Sequence, residues 1–256
     1  MSWRVTAVRY ATRVAHKSEL YYRYGSYGEP DAEQRMDYFF WLLQDGDETV
    51  VVDSGFAPAE GRARNRECTC EPADALARLG VDPAAVKTVL LTHLHWDHTG
   101  NLDLFPNAEL VVTSKELDFW TSAVASRHHF AELVVPSELD VIVRAGAEGR
   151  VRRIMSDGEL VPGVHGAIAG GHSPAQLVLR VEAGGGAVVL AGDVIHYYEE
   201  LELDRPFDVL VDLADCYRAF DILREQTSGG ERLVAGHDPE VMNRFERVDD
   251  LAVVLA

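Results

Sequence analysis

The segment Thr92-His93-Leu94-His95-Trp96-Asp97-His98-Thr99-Gly100 constrains this chain more than any other. It sets three imidazoles and a carboxylate directly after an apolar, β-branched run, Thr88–Leu91. Such a run reads as a buried strand. Extended backbone points residues i and i+2 the same way, so His93 and His95 project together. A turn after Trp96 breaks that parity and swings Asp97 and His98 towards a second position close by. A histidine standing alone is usually a hydrogen-bonded structural residue, whereas three with an aspartate in six residues make a metal-ligand pattern. Imidazole and carboxylate without thiolate suit zinc. So short a cluster cannot complete two metal sites by itself. Three further residues each follow an apolar strand, where a sheet edge presents them: His172 after Val164–Ala169, Asp193 after Ala187–Gly192, and His237 after Arg232–Gly236.

Short apolar runs alternate with helical stretches over nearly the whole length. The predicted strands are Val5–Arg9, Tyr38–Leu43, Thr49–Val52, Thr88–Leu91, Glu109–Val112, Val164–Ala169, Gln176–Val181, Ala187–Leu190 and Arg232–Ala235. Helices are predicted over Pro72–Leu79, Ser114–Ala125, within His129–Arg144, and over Ala214–Gln226. Thr49–Gly55 and Val188–Asp193 both run an apolar strand into an aspartate, the faint mark of a duplicated α/β unit with two sheets face to face and helices outside. Within Glu19–Trp41, the aromatics 38–41 read as a strand that buries them. The glycine-broken stretch 21–28, with Tyr24 and Tyr27, reads equally well as packing or as an aromatic loop at a ligand entrance.

The chain has 256 residues, and its 42 acidic against 24 basic residues give a net charge of −18. That balance disfavours nucleic acid and anionic membrane surfaces as partners. No apolar run has the length of a membrane-spanning helix, and MSWRVTAVRY lacks the apolar stretch of a signal peptide. Cys68, Cys70 and Cys216 do not make a disulfide framework. One domain over 1–256, in a reducing cytoplasm, is the expectation. The apolar tail Leu251–Ala256 leaves open packing on a second copy or on its own core.

With Asp53 after its strand, then His93, His95, Asp97 and His98, then His172, Asp193 and His237, the sequence resembles the metallo-β-lactamase superfamily over nearly its whole length. The resemblance implies an α/β chain folded as a four-layer αβ/βα sandwich. It further implies a dinuclear site at one edge with two zinc ions per chain, other divalent metals remaining open. By that pattern His93, His95 and His172 hold one zinc, Asp97, His98 and His237 the other, and Asp193 bridges both. Asp53 would orient the histidine loop without touching metal.

The aspartate at 193 and the histidine at 95 do not resemble the antibiotic-hydrolysing lactamases or the flavin-linked diiron branch. The nuclease branches fit the ligands but not the charge. Glyoxalase II-type thioesterases and N-acyl homoserine lactone lactonases share the full set. The chain looks more like the lactonases, in Gly171-His-Ser-Pro174, in Asp53-Ser-Gly-Phe56, in the aromatic strand before that turn, and in lacking a long C-terminal helical extension. One position departs from them: where they place a tyrosine three residues after the bridging aspartate, this chain has His196, followed by Tyr197 and Tyr198. Either His196 donates a hydrogen bond to the substrate carbonyl, or Tyr197 swings in.

What the resemblance implies is a hydrolase in which a hydroxide shared by two zincs attacks the carbonyl of a lactone, foremost an N-acyl homoserine lactone. Asp193 would move the proton to the leaving oxygen, and Asp97 would be required for turnover. The alternatives are a thioesterase or carboxylic esterase, a hydrolase of another cyclic ester in secondary metabolism, or a protein that binds a small signal without turning it over. Phe56, Phe119, Trp120 and His129 join Tyr24 and Tyr27 as pocket candidates. Arg62, Arg64 and Arg66 read as a solvated loop or a carboxylate-binding one.

Overall fold

Burial on both faces of one strand sets the layers of the molecule. The computed structural model describes residues 2–256. In Glu33–Asp45, Phe39, Trp41 and Leu43 point to one side while Tyr38, Phe40 and Leu42 point to the other, and all six are at most 2% exposed. A strand apolar on both faces has to be covered on both. One side meets a second sheet and the other meets helices.

The larger sheet holds β1 (Arg4–His16), β2 (Glu33–Asp45), β3 (Glu48–Val52), β4 (Glu67–Cys68), β5 (Thr88–Leu90), β6 (Glu109–Thr113) and β7 (Val151–Ile154). The smaller sheet holds β8 (Gly158–Val161), β9 (Val164–Ala169), β10 (Gln176–Val181), β11 (Val188–Leu190) and β12 (Arg232–Val234). The chain then returns to the larger sheet with β13 (Glu246–Arg247) and β14 (Ala252–Val254). The larger sheet is ordered β13-β14-β1-β2-β3-β5-β6-β7, with β4 beside β1, and the smaller β12-β11-β10-β9-β8. Phe39, Trp41, Val50, Val52 and Leu90 interleave between the sheets with Leu177, Leu179, Val188 and Leu190. The helices Pro72–Arg78 and Pro136–Ala147 cover the outer face of the larger sheet, and Leu213–Gln226 packs Ala219, Phe220 and Leu223 on the smaller. This is the expected α/β sandwich.

Strands β3, β5, β6 and β7 are mutually parallel, so β3 and β5 release their C-terminal ends at the same edge. In the smaller sheet β9 and β11 share a direction through antiparallel β10, and β12 runs parallel to β11. Five strand ends therefore converge on one rim of the sandwich, and the candidate residues sit in the loops that follow them. The two strands that run into an aspartate, β3 and β11, belong to different sheets.

Observed bounds match the predicted ones at β9 and β10. The first strand runs on to His16 because it pairs with β2 along its whole length, across a register shift between Arg9 and Ala11. The helix predicted over Ser114–Ala125 ends at Trp120. The apolar tail pairs with β1 of its own chain, Thr6 opposite Val254, so its hydrophobic surface is consumed internally. Among the described residues no helix is long and apolar enough to cross a membrane.

Candidate metal centre

The histidine loop leaves β5 in extended form and turns helical at Trp96–Thr99, with His95 as the residue before the first turn. His93 and His95 thus project from extended chain, and Asp97 and His98 from the turn. The Asp193 carboxylate lies at the middle of the cluster. Its Oδ2 is 3.5 Å from His98 Nε2, 3.4 Å from His172 Nε2, 3.2 Å from His237 Nε2 and 3.9 Å from His93 Nε2. Asp97 stands 3.8 Å from both His98 Nε2 and His237 Nε2. The ligand atoms of His93, His95 and His172 lie within 4.8 Å of one another, as do those of Asp97, His98 and His237.

Four of the five rings are held from behind by a hydrogen bond. His98 Nδ1 is 2.8 Å from Asp53 Oδ2, His172 Nδ1 is 2.9 Å from the Val209 carbonyl, and His237 Nδ1 is 2.8 Å from the Asp37 carbonyl. His93 Nδ1 lies 3.1 Å from Thr92 Oγ1, whose hydroxyl donates to Asp53. Carbonyl and carboxylate oxygens only accept, so these Nδ1 atoms carry a proton and the Nε2 atoms are the ones turned to the centre. The Nε2 atoms of His93, His95, His98 and His172 and Oδ1 of Asp193 are buried and have no hydrogen-bond partner. Buried polar atoms are almost always satisfied. Four such atoms in one cluster, with carboxylates among them, fit divalent metal. Burial, then the neighbouring imidazoles, holds His93 and His95 well below the usual histidine range, and burial takes His172 down to about 3. These three rings are neutral at pH 7, the form that ligates.

Asp53 sits at φ 59, a left-handed conformation that aspartate tolerates better than most residues. From there it accepts from the Thr92 amide and hydroxyl and from His98. The Asp53 turn and the histidine loop cross so closely that a Cβ on Gly100 would lie 2.2 Å from the Ala57 nitrogen. The Tyr10 hydroxyl clasps the crossing, accepting from the Phe56 amide and donating to the Asp97 carbonyl, each at 3.0 Å.

His196 also belongs to the cluster. Its Nε2 is 3.1 Å from Asp193 Oδ2, and its ring stacks on Phe207 at 3.5 Å. Burial opposes its charge, but Asp193 and then Glu200 outweigh that and raise its pKa to about 9. Tyr197 does not join it: buried against Tyr21, it donates to the Arg35 carbonyl at 3.3 Å.

A cavity of ≈ 220 Å³ opens beside His95, Asp97, His172, Asp193 and His196. None of the six pocket candidates lines it. Phe56 is fully buried between Tyr10 and Tyr38. Tyr24 and Tyr27 turn their hydroxyls onto the Pro30 and Tyr22 carbonyls. Trp120 lies behind His95, with Phe119 beyond it, and His129 is exposed on the short helix His128–Ala131. The walls are instead Arg13, Met36, Tyr38, Arg66, Leu133 and Phe207, among others. Arg64 and Arg66 lie over the Trp96 ring at 4.6 and 5.9 Å, so this loop is not merely solvated.

Glu116 is the residue that sequence reasoning misses most. Fully buried, it accepts from the Leu94 amide at 3.1 Å, the Ala175 amide at 3.0 Å and Trp120 Nε1 at 2.6 Å, and from the Ser173 hydroxyl. One carboxylate ties the His93–His95 loop to the His172 loop. Its local signal, Thr113-Ser-Lys-Glu116, points only to a helix cap.

Two layers of sheet with helices outside, and histidines and aspartates converging at strand ends on one rim, define a sandwich protein built around a divalent-metal centre. Residues 37–237 match the model of the metallo-beta-lactamase superfamily, and the chain belongs to that superfamily. It is 26% identical over 184 residues to the N-acyl homoserine lactonase AttM of Azorhizobium caulinodans, covering 66% of this chain and 64% of that protein. It is 27% identical over 169 residues to the N-acyl homoserine lactonase AiiA of Bacillus thuringiensis subsp. kurstaki, covering 64% and 61%. The chain thus spans less than two thirds of the length of these relatives. Among solved structures, a quorum-quenching N-acyl homoserine lactone lactonase superposes with a TM-score of 0.79 at 22% identity, covering 99% of both chains.

Proposed function

We propose that this chain is a dizinc hydrolase that opens the ring of an N-acyl homoserine lactone to its hydroxy acid. The observation that carries the reading is the set of four unpartnered Nε2 atoms in the cluster, three of them within 4 Å of the Asp193 carboxylate and held by a hydrogen bond at Nδ1. The likeness to proteins named N-acyl homoserine lactonase supports the choice of substrate.

Bound at this cluster, two divalent cations supply Lewis acidity towards an ester carbonyl and a nucleophile at neutral pH. His93, His95 and His172 would hold one cation and Asp97, His98 and His237 the other, with the Asp193 carboxylate available to both groups. Asp193 Oδ1, which no protein group satisfies, takes the nucleophile's proton and returns it to the alkoxide oxygen as the ring C–O bond breaks. His196 faces the cavity and donates to the substrate carbonyl oxygen, while Tyr197 is kept from that role by its bond to Arg35.

Acid release followed with a pH indicator tests this, on zinc-loaded protein given an acyl homoserine lactone, its matched open-chain ester, a plain γ-lactone and a thioester. Fast turnover confined to the acylated lactone is the expected result. Turnover of the thioester or open ester with the lactones ignored overturns the substrate.

A further inference from the structure

The cavity beside the cluster carries two guanidinium groups for which lactone opening has no use. Arg13 on β1 and Arg66 line it together with Tyr38, Met36 and Leu133. Arg66 Nε donates to the Tyr38 hydroxyl at 2.7 Å and Nη1 donates to the Arg64 carbonyl, with the Trp96 ring 5.9 Å away, so a phenol and a carbonyl hold it in position and Nη2 keeps its donors. The Tyr38 ring meets the His237 ring edge-on at 5.0 Å. One tyrosine ring therefore separates Arg66 from the metal-ligating residues. Arg13 Nε is buried without a hydrogen-bond partner.

Neither arginine forms an ion pair among the described residues, although the chain has 42 acidic residues to 24 basic. Nearby Arg9 and Arg35 are both paired with Asp37, and Arg64 with Glu60. Glu19 also lines the cavity, but its carboxylate accepts from the His16 amide at 2.8 Å. A guanidinium presents a rigid fork that matches a carboxylate, and such a pair is worth more in a partly enclosed cavity than on a surface.

We propose that Arg13 and Arg66 bind a carboxylate carried on the substrate at the end remote from the scissile carbonyl. The substrate class is then a lactone whose acyl chain ends in an acid, a specification that rests on the lactone-opening reading above. Met36 and Leu133 cover the methylenes between the two ends.

Calorimetric binding of ring-opened acids to the zinc-loaded chain tests the site without turnover. N-adipoyl homoserine and N-hexanoyl homoserine differ only in a terminal carboxylate for a methyl group, and the terminal primary amide serves as the uncharged polar control. The carboxylate tail is expected to tighten binding by about tenfold over both others, the size of a charge-assisted bidentate contact. That gain should fall below about twofold in R13M and in R66M, yet persist in R62A, which alters an exposed arginine of the preceding helix Pro58–Ala63. Equal affinity for the three acids, no measurable binding of the adipoyl acid, or a gain that survives in both R13M and R66M overturns the proposal. Turnover of the matching lactones is read separately. If no lactone opens but the carboxylate gain is present, the lactone reading falls and the anion site stands; an opened hexanoyl lactone with no gain gives the reverse.

Discussion

Asp53 does three things with one carboxylate: it fixes the His98 tautomer, holds the Thr92 amide, and through the Thr92 hydroxyl orients His93. Replacing it by asparagine keeps the size but removes the charge and one acceptor. D53N is expected to lower zinc affinity by about 10- to 100-fold, the usual cost of losing such a partner, as read by chelator competition. Affinity unchanged from wild type would mean that His98 is positioned by something else. Glu138 offers a second test at this scale. Burial raises its carboxyl to about 7 against the pull of the Thr99 hydrogen bond, with Glu60 and Asp97 adding to the rise. In the unfolded chain it returns to its ordinary 4.5, so between pH 4.5 and 7 the folded state binds more protons. Its contribution is therefore greatest at low pH and is lost as pH rises through that window. E138Q should flatten the fall in urea midpoint across that range, and an unaltered slope would assign it to another group.

At the scale of elements, the active rim depends on loops from two sheets keeping their distance. Glu116, at the start of a short helix after β6, reaches both the loop after β5 and the segment before β10. Gln at this position would set an NH₂ group against donors, leaving at least one of them buried and unsatisfied. E116Q is expected to cost about 2–3 kcal/mol in urea unfolding of the metal-free chain. It should also weaken zinc binding, because His95 and His172 sit on the two loops it joins. A loss of stability with full zinc affinity would confine Glu116 to folding. Gly100 shows the same dependence on close approach, since the two loops it separates leave no room for a Cβ.

For the molecule as a whole, the cluster gathers imidazoles and carboxylates whose lone pairs have no protein partner. Only the folded chain presents them together, so metal binding is expected to add directly to stability. At zinc a thousandfold above its dissociation constant the gain is about 4 kcal/mol. In a chain of this size that raises Tm by roughly 10 °C. Melting the metal-free chain and the chain after zinc is restored measures it. Coincident melting curves would mean that the site is not filled.

Sequence alone picked out the histidines and aspartates that the fold gathers into one cluster, and the layered α/β plan. Both are local properties: an i, i+2 pair in extended chain projects to one side, and an apolar run followed by a glycine and a His or Asp marks a strand end at a sheet edge. The strand at 38–43 was legible for the same reason. What lines the cavity was not. Tyr38 and Phe39 are both buried, one on each face, so alternation separates the faces without saying which one borders the site. Phe56 and Trp120 turned out to be packing behind the ligands, while Arg13, Arg66 and Phe207 became its walls. Glu116 meets Ser173 across 57 residues, and His237 meets Asp37 across 200. Contacts of that span depend on how two sheets dock, a packing of whole faces that no window of sequence contains, and that docking decided which side chains surround the metal-ligating cluster.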